Sequence, residues 1–290
     1  MFQKFLLVIG IAIFMGMAFS SPTLGAPCGG NTVCVCGDTV EADRTLTGAD
    51  PVLNAVCPGD GLIMNTSGVT LNLRGERIKG DGGAGDVGIR ILDGVNNIEI
   101  VDGEIREFGT GIKSQGTTTG STIKEIGIKG STLDGMDIWG TGNIFENNRQ
   151  LAGNGGDGMR ITGDDNFVTL NRAVENVGDG IVVIGNHNDI SEKNQSSNNK
   201  GNGMYVEGND NAILDNNQIH HNKGYGLRVI GTGNIITRNM TNRDGPLGIL
   251  VTGLNAVDGN NIDGGGNNSN QGPKYLTSSD CEIDGNACLP

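Results

Sequence analysis

A short pattern of glycine and alternating apolar residues recurs along most of the chain. Residues one and three places after each of nine repeated glycines are apolar at 17 of 18 positions, whereas the overall apolar fraction of 36% predicts about six or seven. Alternation with a period of two is typical of a β-strand that buries one face. The nine glycines are 22 to 27 residues apart, at Gly61, Gly88, Gly111, Gly135, Gly158, Gly180, Gly203, Gly226 and Gly248. A strand that returns at such a regular step predicts a solenoid.

The residues between these strands favour turns and further short strands. From Gly111 onward a second glycine follows five residues after the first, and an asparagine recurs three residues later, at Asn143, Asn166, Asn188, Asn211 and Asn234. Asparagine adopts left-handed turn geometry readily and forms ladders when it is stacked. Short strands are predicted at residues 143–146 and 211–214, and no segment predicts a helix. The fold class is therefore all-β, as a single parallel solenoid of about nine coils. Leucine-rich repeats have a similar period, but they need a leucine framework and a helical half.

The N-terminal 26 residues are typical of an export signal. Lys4 supplies one positive charge, residues 5–19 form an almost unbroken apolar run, and residues 20–26 are small and polar. This layout predicts a secretory signal peptide at residues 1–26, with cleavage after Ala26 or Ser20 as alternatives. A membrane anchor is the other interpretation, but fifteen apolar residues are short for a span of about 20. The mature protein is therefore expected to be secreted, extracellular or periplasmic, and without a membrane partner.

Six cysteines lie only at the two ends of the predicted solenoid. An even number of cysteines in an exported chain predicts disulfides, and no histidine lies near them to favour a metal site. The four N-terminal cysteines allow three pairings, whereas Cys281 is expected to pair with Cys288. We predict a Cys-rich N-terminal cap at residues 27–60, a β-helix at 61–263 and a C-terminal cap at 264–290. The cysteines are Cys28, Cys34, Cys36, Cys57, Cys281 and Cys288.

Composition and charge exclude some classes of partner. The chain has 290 residues, a net charge of −13, 51 Gly, 34 Asn and 4% aromatic residues. Such values approach those of disordered chains, but the periodic order of the residues indicates a folded one. A nucleic-acid partner is not expected, because a phosphate-binding surface needs an excess of basic residues. No cofactor is predicted, whereas a calcium ion and the oligomeric state are left open.

The repeat G-I-x-V-x-G-x-x-N resembles that of the pectin-lyase-like family of right-handed parallel β-helices. The segment from Cys36 to Gly61 is similar to the N-terminal cap of exported members, and the resemblance extends to about Asp263. It implies a right-handed β-helix whose ligands lie along the outer face of one parallel sheet. It does not imply one activity, because the family includes lyases, hydrolases, epimerases and members with no known reaction.

The outward positions of the repeated strand carry an unusual set of side chains. Four of the nine residues two places after the opening glycine are basic, and the only tryptophan lies four places after Gly135. An outward aromatic ring can stack on a sugar, and arginine can bind a carboxylate with two hydrogen bonds. A solvated strand with extended cationic side chains is the alternative. The candidate substrate-binding residues are Arg90, Lys113, Asp137, Trp139, Arg160, Tyr205 and Arg228.

Three aspartates directly precede the opening glycine on consecutive coils. Asp134, Asp157 and Asp179 would lie about 5 Å apart if the coils stack. Residues 134–138 read D-G-M-D-I and are similar to the D-G-I-D-I stretch of polygalacturonases, which implies that Asp134 and Asp157 are catalytic acids. Asp179, which stands where that family has His, is the third candidate catalytic residue. The alternative is that Asp-Gly makes the turn into the strand.

Asp165, His187 and Asp210 form a second column, seven residues after their glycines. Together they could hold a metal or move a proton, or they could be turn residues.

These features predict a secreted β-helix protein that binds, and in one interpretation cleaves, an extracellular acidic polysaccharide. As an enzyme it would be a polysaccharide hydrolase or lyase. The competing interpretation is a non-enzymatic structural or adhesive rod, for which regular turns and a negatively charged surface suffice.

Overall fold

The computed structural model describes residues 25–215, 217–246 and 248–263, and the short segments 275–277, 282–283 and 286–287. The predicted signal peptide, apart from its last two residues, lies outside the described residues. The same holds for Cys281 and Cys288, so their predicted pairing stays a prediction.

The chain folds as a right-handed parallel β-solenoid of about 10 turns, which confirms the predicted fold class. The described residues contain no α-helix and one 3₁₀ turn at Pro51–Leu53. Accordingly, no helix within these ranges is long and apolar enough to cross a membrane. The strands of residues 27–60 continue the stack, since Asp38–Val40 pairs in parallel with Leu62–Met64.

One sheet, here called the front sheet, contains the repeated strand of every coil. Its twelve strands lie in the order of the sequence, and neighbours pair in parallel. They are Pro27–Cys28, Asp38–Val40, Leu62–Met64, Val87–Ile91, Thr110–Thr119, Met136–Thr141, Met159–Thr162, Ile181–Ile184, Met204–Glu207, Leu227–Ile230, Ile249–Thr252 and Tyr275–Thr277.

The other two sides of each coil are formed by shorter strands. Glu99–Arg106 and Thr122–Lys129 cover both sides and bend at Asp102 and Glu125, whose φ values are 56° and 58°. The second side contains Arg44–Thr45, Thr70–Asn72, Ile144–Glu146, Phe167–Thr169, Asp189–Ser191, Ala212–Leu214, Ile235–Thr237, Ala256–Asp258 and Glu282–Ile283. The third side contains Val56–Cys57, Arg77–Gly80, Gln150–Ala152, Arg172–Val174, Gln195–Ser197, Gln218–His220, Met240–Asn242 and Asn261–Asp263. At the end of the chain, Asn286–Ala287 pairs antiparallel with Glu282–Ile283.

The inward register of the front sheet is the predicted one. Every residue one or three places after an opening glycine is buried. This includes Ser114, the one polar residue among these 18 positions, which is 4% exposed. Equivalent residues stack on each other, so Ile161 pairs with Ile138 on one side and Val183 on the other. The opening glycine is required by this close stacking, because a Cβ at Gly158 would lie 2.6 Å from the carbonyl oxygen of Gly180.

Three asparagine ladders run along the inside of the coil corners. In each, the side-chain oxygen accepts an N–H of the equivalent residue one coil earlier. The donor is the backbone N–H except at Asn217, whose side-chain Nδ2 donates to Asn239 at 2.7 Å. Asn166, for example, accepts from the N–H of Asn143 at 3.0 Å and donates to the carbonyl of Gly140 at 3.0 Å. The ladders are Asn143–Asn166–Asn188–Asn211–Asn234–Asn255, Asn148–Asn171–Asn194–Asn217–Asn239–Asn260 and Asn154–Asn176–Asn199–Asn222–Asp244. The predicted ladder is confirmed, and two more accompany it.

The four N-terminal cysteines form two disulfides. Cys28 pairs with Cys34 and Cys36 pairs with Cys57, which selects one of the three possible arrangements. No described cysteine is free. Cys57 lies in a strand that pairs with Arg77–Gly80, so the second disulfide links Cys36 covalently to a strand of the solenoid.

Candidate functional site

The outer face of the front sheet brings most of the predicted binding residues into one column. Parallel pairing aligns the second residue of each strand with its equivalents, and adjacent strands are about 4.8 Å apart. Along the stack the column reads Ile63, Arg90, Lys113, Asp137, Arg160, Val182, Tyr205, Arg228 and Leu250. Val182 is fully buried although it faces outward, between Arg160 and Tyr205.

Three of the four basic residues in this column are paired with carboxylates of the same face. Lys113 Nζ lies 2.8 Å from Asp137 Oδ2, and Arg160 Nη2 lies 2.6 Å from Asp157 Oδ2. Arg90 binds both carboxylate oxygens of Asp60. Since each cation has an internal partner, this part of the face is not the uncompensated basic surface that the sequence indicated.

Asp60 is a residue of this face that the sequence interpretation missed. It precedes Gly61 as Asp134 precedes Gly135, so its position in the repeat was the available signal. Its carboxylate also accepts the backbone N–H of Val87 on the next coil, at 2.8 Å.

Trp139 is the most exposed large side chain predicted for the site. Its residue is 53% exposed, and its backbone N–H donates to Ser114 Oγ at 2.8 Å. A bulge precedes it in the neighbouring strand, since Lys113 pairs with Asp137 but Thr117 pairs with Trp139. The indole therefore has Thr117 on one side and Thr162 on the other, both smaller than itself.

The three predicted catalytic aspartates lie on consecutive coils at the entry to the front sheet. Asp134 Oδ1 accepts the N–H of Asp157 at 2.6 Å, and Asp157 Oδ1 accepts the N–H of Asp179 at 2.7 Å. Asp179 in turn accepts the N–H of Asn202. One oxygen of each carboxylate thus holds the next turn in place, which is the structural role considered as the alternative.

Burial and mutual repulsion shift the protonation of this column. Burial raises the pKa of Asp134, the N–H of Asp157 opposes the shift, and the charges of Asp157 and Asp137 add to it. Burial also raises the pKa of Asp179, with a smaller contribution from the charge of Asp157. Although partial burial disfavours its charge, Arg160 has a raised pKa because Asp157, Asp134 and Asp137 surround it.

Five ionisable side chains lie close together on this face and are here called the charged cluster: Lys113, Asp134, Asp137, Asp157 and Arg160. Asp137 is an unusual member of it. Its residue is only 8% exposed, and Oδ1 has no hydrogen-bond partner among the described residues. This oxygen is thus a buried acceptor that no described group satisfies.

Two tyrosines and an arginine lie further along the same face. The Arg228 guanidinium carbon is 5.4 Å from the ring centre of Tyr205 and 6.0 Å from that of Tyr225. The Tyr205 hydroxyl donates to Glu207 Oε2 at 2.6 Å. Burial, followed by that hydrogen bond, raises the pKa of Tyr205 to about 12.

Asp165, His187 and Asp210 occupy a corner of the coil rather than a pocket. Their φ values are 56°, 56° and 55°, as the turn interpretation requires. His187 Nε2 is 3.8 Å from Asp210 Oδ2, and both side chains are largely exposed. Within the described ranges, no three His, Cys, Asp or Glu side chains converge closely enough to hold a metal ion.

Comparison with known proteins identifies the family. Residues 110–288 match a family model described as the right handed beta helix region, and the chain belongs to this family. The structure resembles the A-module of Azotobacter vinelandii mannuronan C-5 epimerase AlgE4, with a TM-score of 0.56 and 18% identity over 89% of this chain and 85% of that one. It also resembles the AlgE6 A-module from the same organism, with a TM-score of 0.52 and 16% identity over 92% of this chain and 91% of that one. No curated protein sequence matches. At these identities the structural likeness shows the fold alone, whereas the family match confirms the predicted membership of a right-handed parallel β-helix family.

Proposed function

We propose that the outer face of the front sheet binds an extracellular polysaccharide, with Trp139 as its stacking platform. The observation that carries this proposal is the 53% exposure of Trp139 beside the charged cluster. A large aromatic ring is normally buried, and an exposed one next to fixed polar groups suits the apolar face of a sugar. The fold supports the proposal, because two proteins that share it are mannuronan epimerase modules.

The charged cluster supplies polar groups for the ligand. The side chains of Lys113 and Arg160 are 39% and 37% exposed, so each has donors open to solvent. Sugar hydroxyls both donate and accept hydrogen bonds, so they can accept from these donors. An acidic sugar would gain charge-assisted hydrogen bonds from the two cations. The two disulfides support an extracellular or periplasmic setting, because such bonds persist in oxidising compartments.

Replacing Trp139 by Ala is expected to weaken polysaccharide binding about tenfold, because the loss of ring stacking costs roughly 1.5 kcal/mol. Lys113→Gln and Arg160→Gln should weaken binding of acidic polysaccharides, and salt should reduce their effect far more than that of Trp139→Ala. Calorimetric titration against a panel of acidic and neutral glycans would measure all three. Ile144→Ala, which removes a 40% exposed side chain on the second side, is the matched control. Binding that none of the front-sheet variants alters would leave the structural or adhesive rod as the better interpretation.

A second candidate function is cleavage of the bound polysaccharide by the aspartate column. The specific observation is the arrangement of the three aspartates. Asp157 forms an ion pair with Arg160 and lies between Asp134 and Asp179, whose pKa values are both raised. Glycosidic cleavage uses one carboxyl group that gives a proton and a second that acts as a carboxylate. Asp134 or Asp179 would be the acid, and Asp157 the base or nucleophile.

Asp157→Asn should abolish turnover while it leaves binding and folding nearly unchanged. The amide oxygen can still accept the N–H of Asp179 at the observed 2.7 Å, but the group can no longer act as a base or nucleophile. Assays of new reducing ends and of unsaturated products would measure this and distinguish a hydrolase from a lyase. Asp165→Asn, at an exposed corner, is the control. If Asp134→Asn, Asp157→Asn and Asp179→Asn all retain the wild-type rate, the column has only its structural role.

A further inference from the structure

Arg228 differs from the other basic residues of the front sheet in having no carboxylate partner among the described residues. Arg90, Lys113 and Arg160 are each paired with an aspartate of the same face. For Arg228, Nε is shielded from solvent and has no hydrogen-bond partner within the same ranges. A guanidinium group carries five donors, and here none is used by a described side chain.

Two aromatic rings hold this guanidinium group. Tyr205 and Tyr225, at 5.4 and 6.0 Å, give it cation–π contacts, and Glu207 fixes the Tyr205 hydroxyl. Such contacts use none of the N–H groups, and because Nε is buried, the two Nη nitrogens remain to donate to a ligand. The edge of arginine matches a carboxylate in two parallel hydrogen bonds.

Two exposed lysines precede the strands that carry this site. Lys200 and Lys223 lie in the turns before the strands of Tyr205 and Arg228, and both are exposed. Neither forms an ion pair with a described residue. Two carboxylates of this part of the face keep their negative charge, because their partners are neutral: Glu207 accepts from the Tyr205 hydroxyl, and Asp179 accepts the side-chain N–H of Asn202 at 3.1 Å. Within the front-sheet column, Arg228 is thus the one basic residue that forms no ion pair with a described residue.

We propose that Arg228, Tyr205 and Tyr225 form a second subsite, which binds the carboxylate of an acidic sugar residue; this rests on the proposed polysaccharide function. Arg228 lies three coils beyond Arg160 in the same column, a separation of roughly 14 Å. One sugar residue cannot span both places, so the ligand is a chain of several residues. Trp139 then binds a sugar through its ring face, and Arg228 selects for a uronate further along the chain.

The test compares a uronate oligosaccharide with the same oligosaccharide after its carboxyl groups have been reduced to alcohols. Arg228→Gln should weaken binding of the uronate form about tenfold or more, because charge-assisted hydrogen bonds are lost, and should leave the reduced form unchanged. Arg228→Lys keeps the charge but not the paired N–H groups, so its loss should be intermediate. Arg238→Gln, which removes an exposed arginine paired with Asp215, is the matched control.

The outcomes separate this subsite from the proposed function itself. Arg228→Gln without a selective loss, in a protein whose binding still depends on Trp139, would overturn the subsite and leave the proposed function standing. Equal losses for the uronate and reduced forms would also overturn it, as would tighter binding of a sulfated neutral glycan than of the uronate. Trp139→Ala without effect on either form would instead contradict the proposed function. Melting temperatures within a few degrees of the wild type would show that the variants fold.

Discussion

Replacing Ile161 by Asp is expected to prevent the chain from folding. The Ile161 side chain is fully buried and lies between Ile138 and Val183 of the adjacent coils. An unpaired carboxylate at this place would be desolvated at a cost of several kcal/mol. That cost is comparable with the whole stability of a domain, about 5–15 kcal/mol. Because each coil packs only on its neighbours, the damage would separate the two halves of the stack.

The adjacent substitution Thr162→Asp supplies the control. Thr162 is only partly buried and faces outward beside Trp139, so a new charge there stays in water and should change stability by less than about 1 kcal/mol. Circular-dichroism melting curves of the two variants would measure the difference. Equal melting behaviour would mean that the inward and outward positions of the strand are exchanged.

Replacing Asp244 by Asn is expected to stabilise the protein at neutral pH. Asp244 stands at the last described position of the third ladder, where the four preceding coils have asparagine. Its Oδ1 accepts both N–H groups of Asn222, at 2.9 and 2.8 Å, but Oδ2 is buried without a partner among the described residues. Asn222 uses the equivalent atom to donate to the carbonyl of Ser196 at 3.1 Å. An asparagine at position 244 could donate in the same way, whereas a carboxylate cannot.

The advantage of asparagine should depend on pH. Burial raises the pKa of Asp244 from 3.8 to about 6, although hydrogen bonds from Asn222 and Asn242 oppose the shift. Because the folded state binds the proton more tightly than the unfolded state, the contribution of Asp244 to stability is complete below about pH 4 and falls as the pH rises through 6. About two units of pKa correspond to roughly 3 kcal/mol.

Thermal melts of the wild type and Asp244→Asn from pH 3.5 to pH 8 would measure this effect as a difference between the two proteins. The difference should be smallest near pH 4, grow up to about pH 6 and stay constant above it. Asp165→Asn, at an exposed corner, should show no comparable change. A difference that does not vary with pH would contradict a buried, proton-binding Asp244.

The fold was predictable because the repeat constrains the same positions many times. A single apolar residue such as Ile161 carries little information, but its equivalents in nine coils define the buried face of the sheet. The asparagine ladder through Asn166 was visible for the same reason. The ladders through Asn171 and Asn199 recur at the same step of 21 to 23 residues, but their distance from the opening glycine varies by one or two residues, so a pattern aligned on that glycine missed them. The disulfide pairing was not predictable, because four cysteines close together permit every arrangement.

The candidate site was predictable as a column of residues but not as a set of interactions. Trp139 and Arg160 were placed on the outer face by alternation alone, and the structure has them there. The partner of Arg90 was missed because Asp60 lies 30 residues earlier and in another column of the repeat. The isolation of Arg228 could not be recognised either, since an unpaired cation is identified only after the partners of the others are known.

Fluorescence of the single tryptophan tests polysaccharide binding at the front sheet most directly. Trp139 is the only tryptophan of the chain, and at 53% exposure it is accessible to a small quencher such as acrylamide. A polysaccharide that binds in a glycan screen should shift the emission of the wild-type protein to shorter wavelength and protect it from quenching. Arg238→Gln should show the same response. A polysaccharide that binds tightly and leaves both the emission and the quenching of Trp139 unchanged would contradict a binding site on this face.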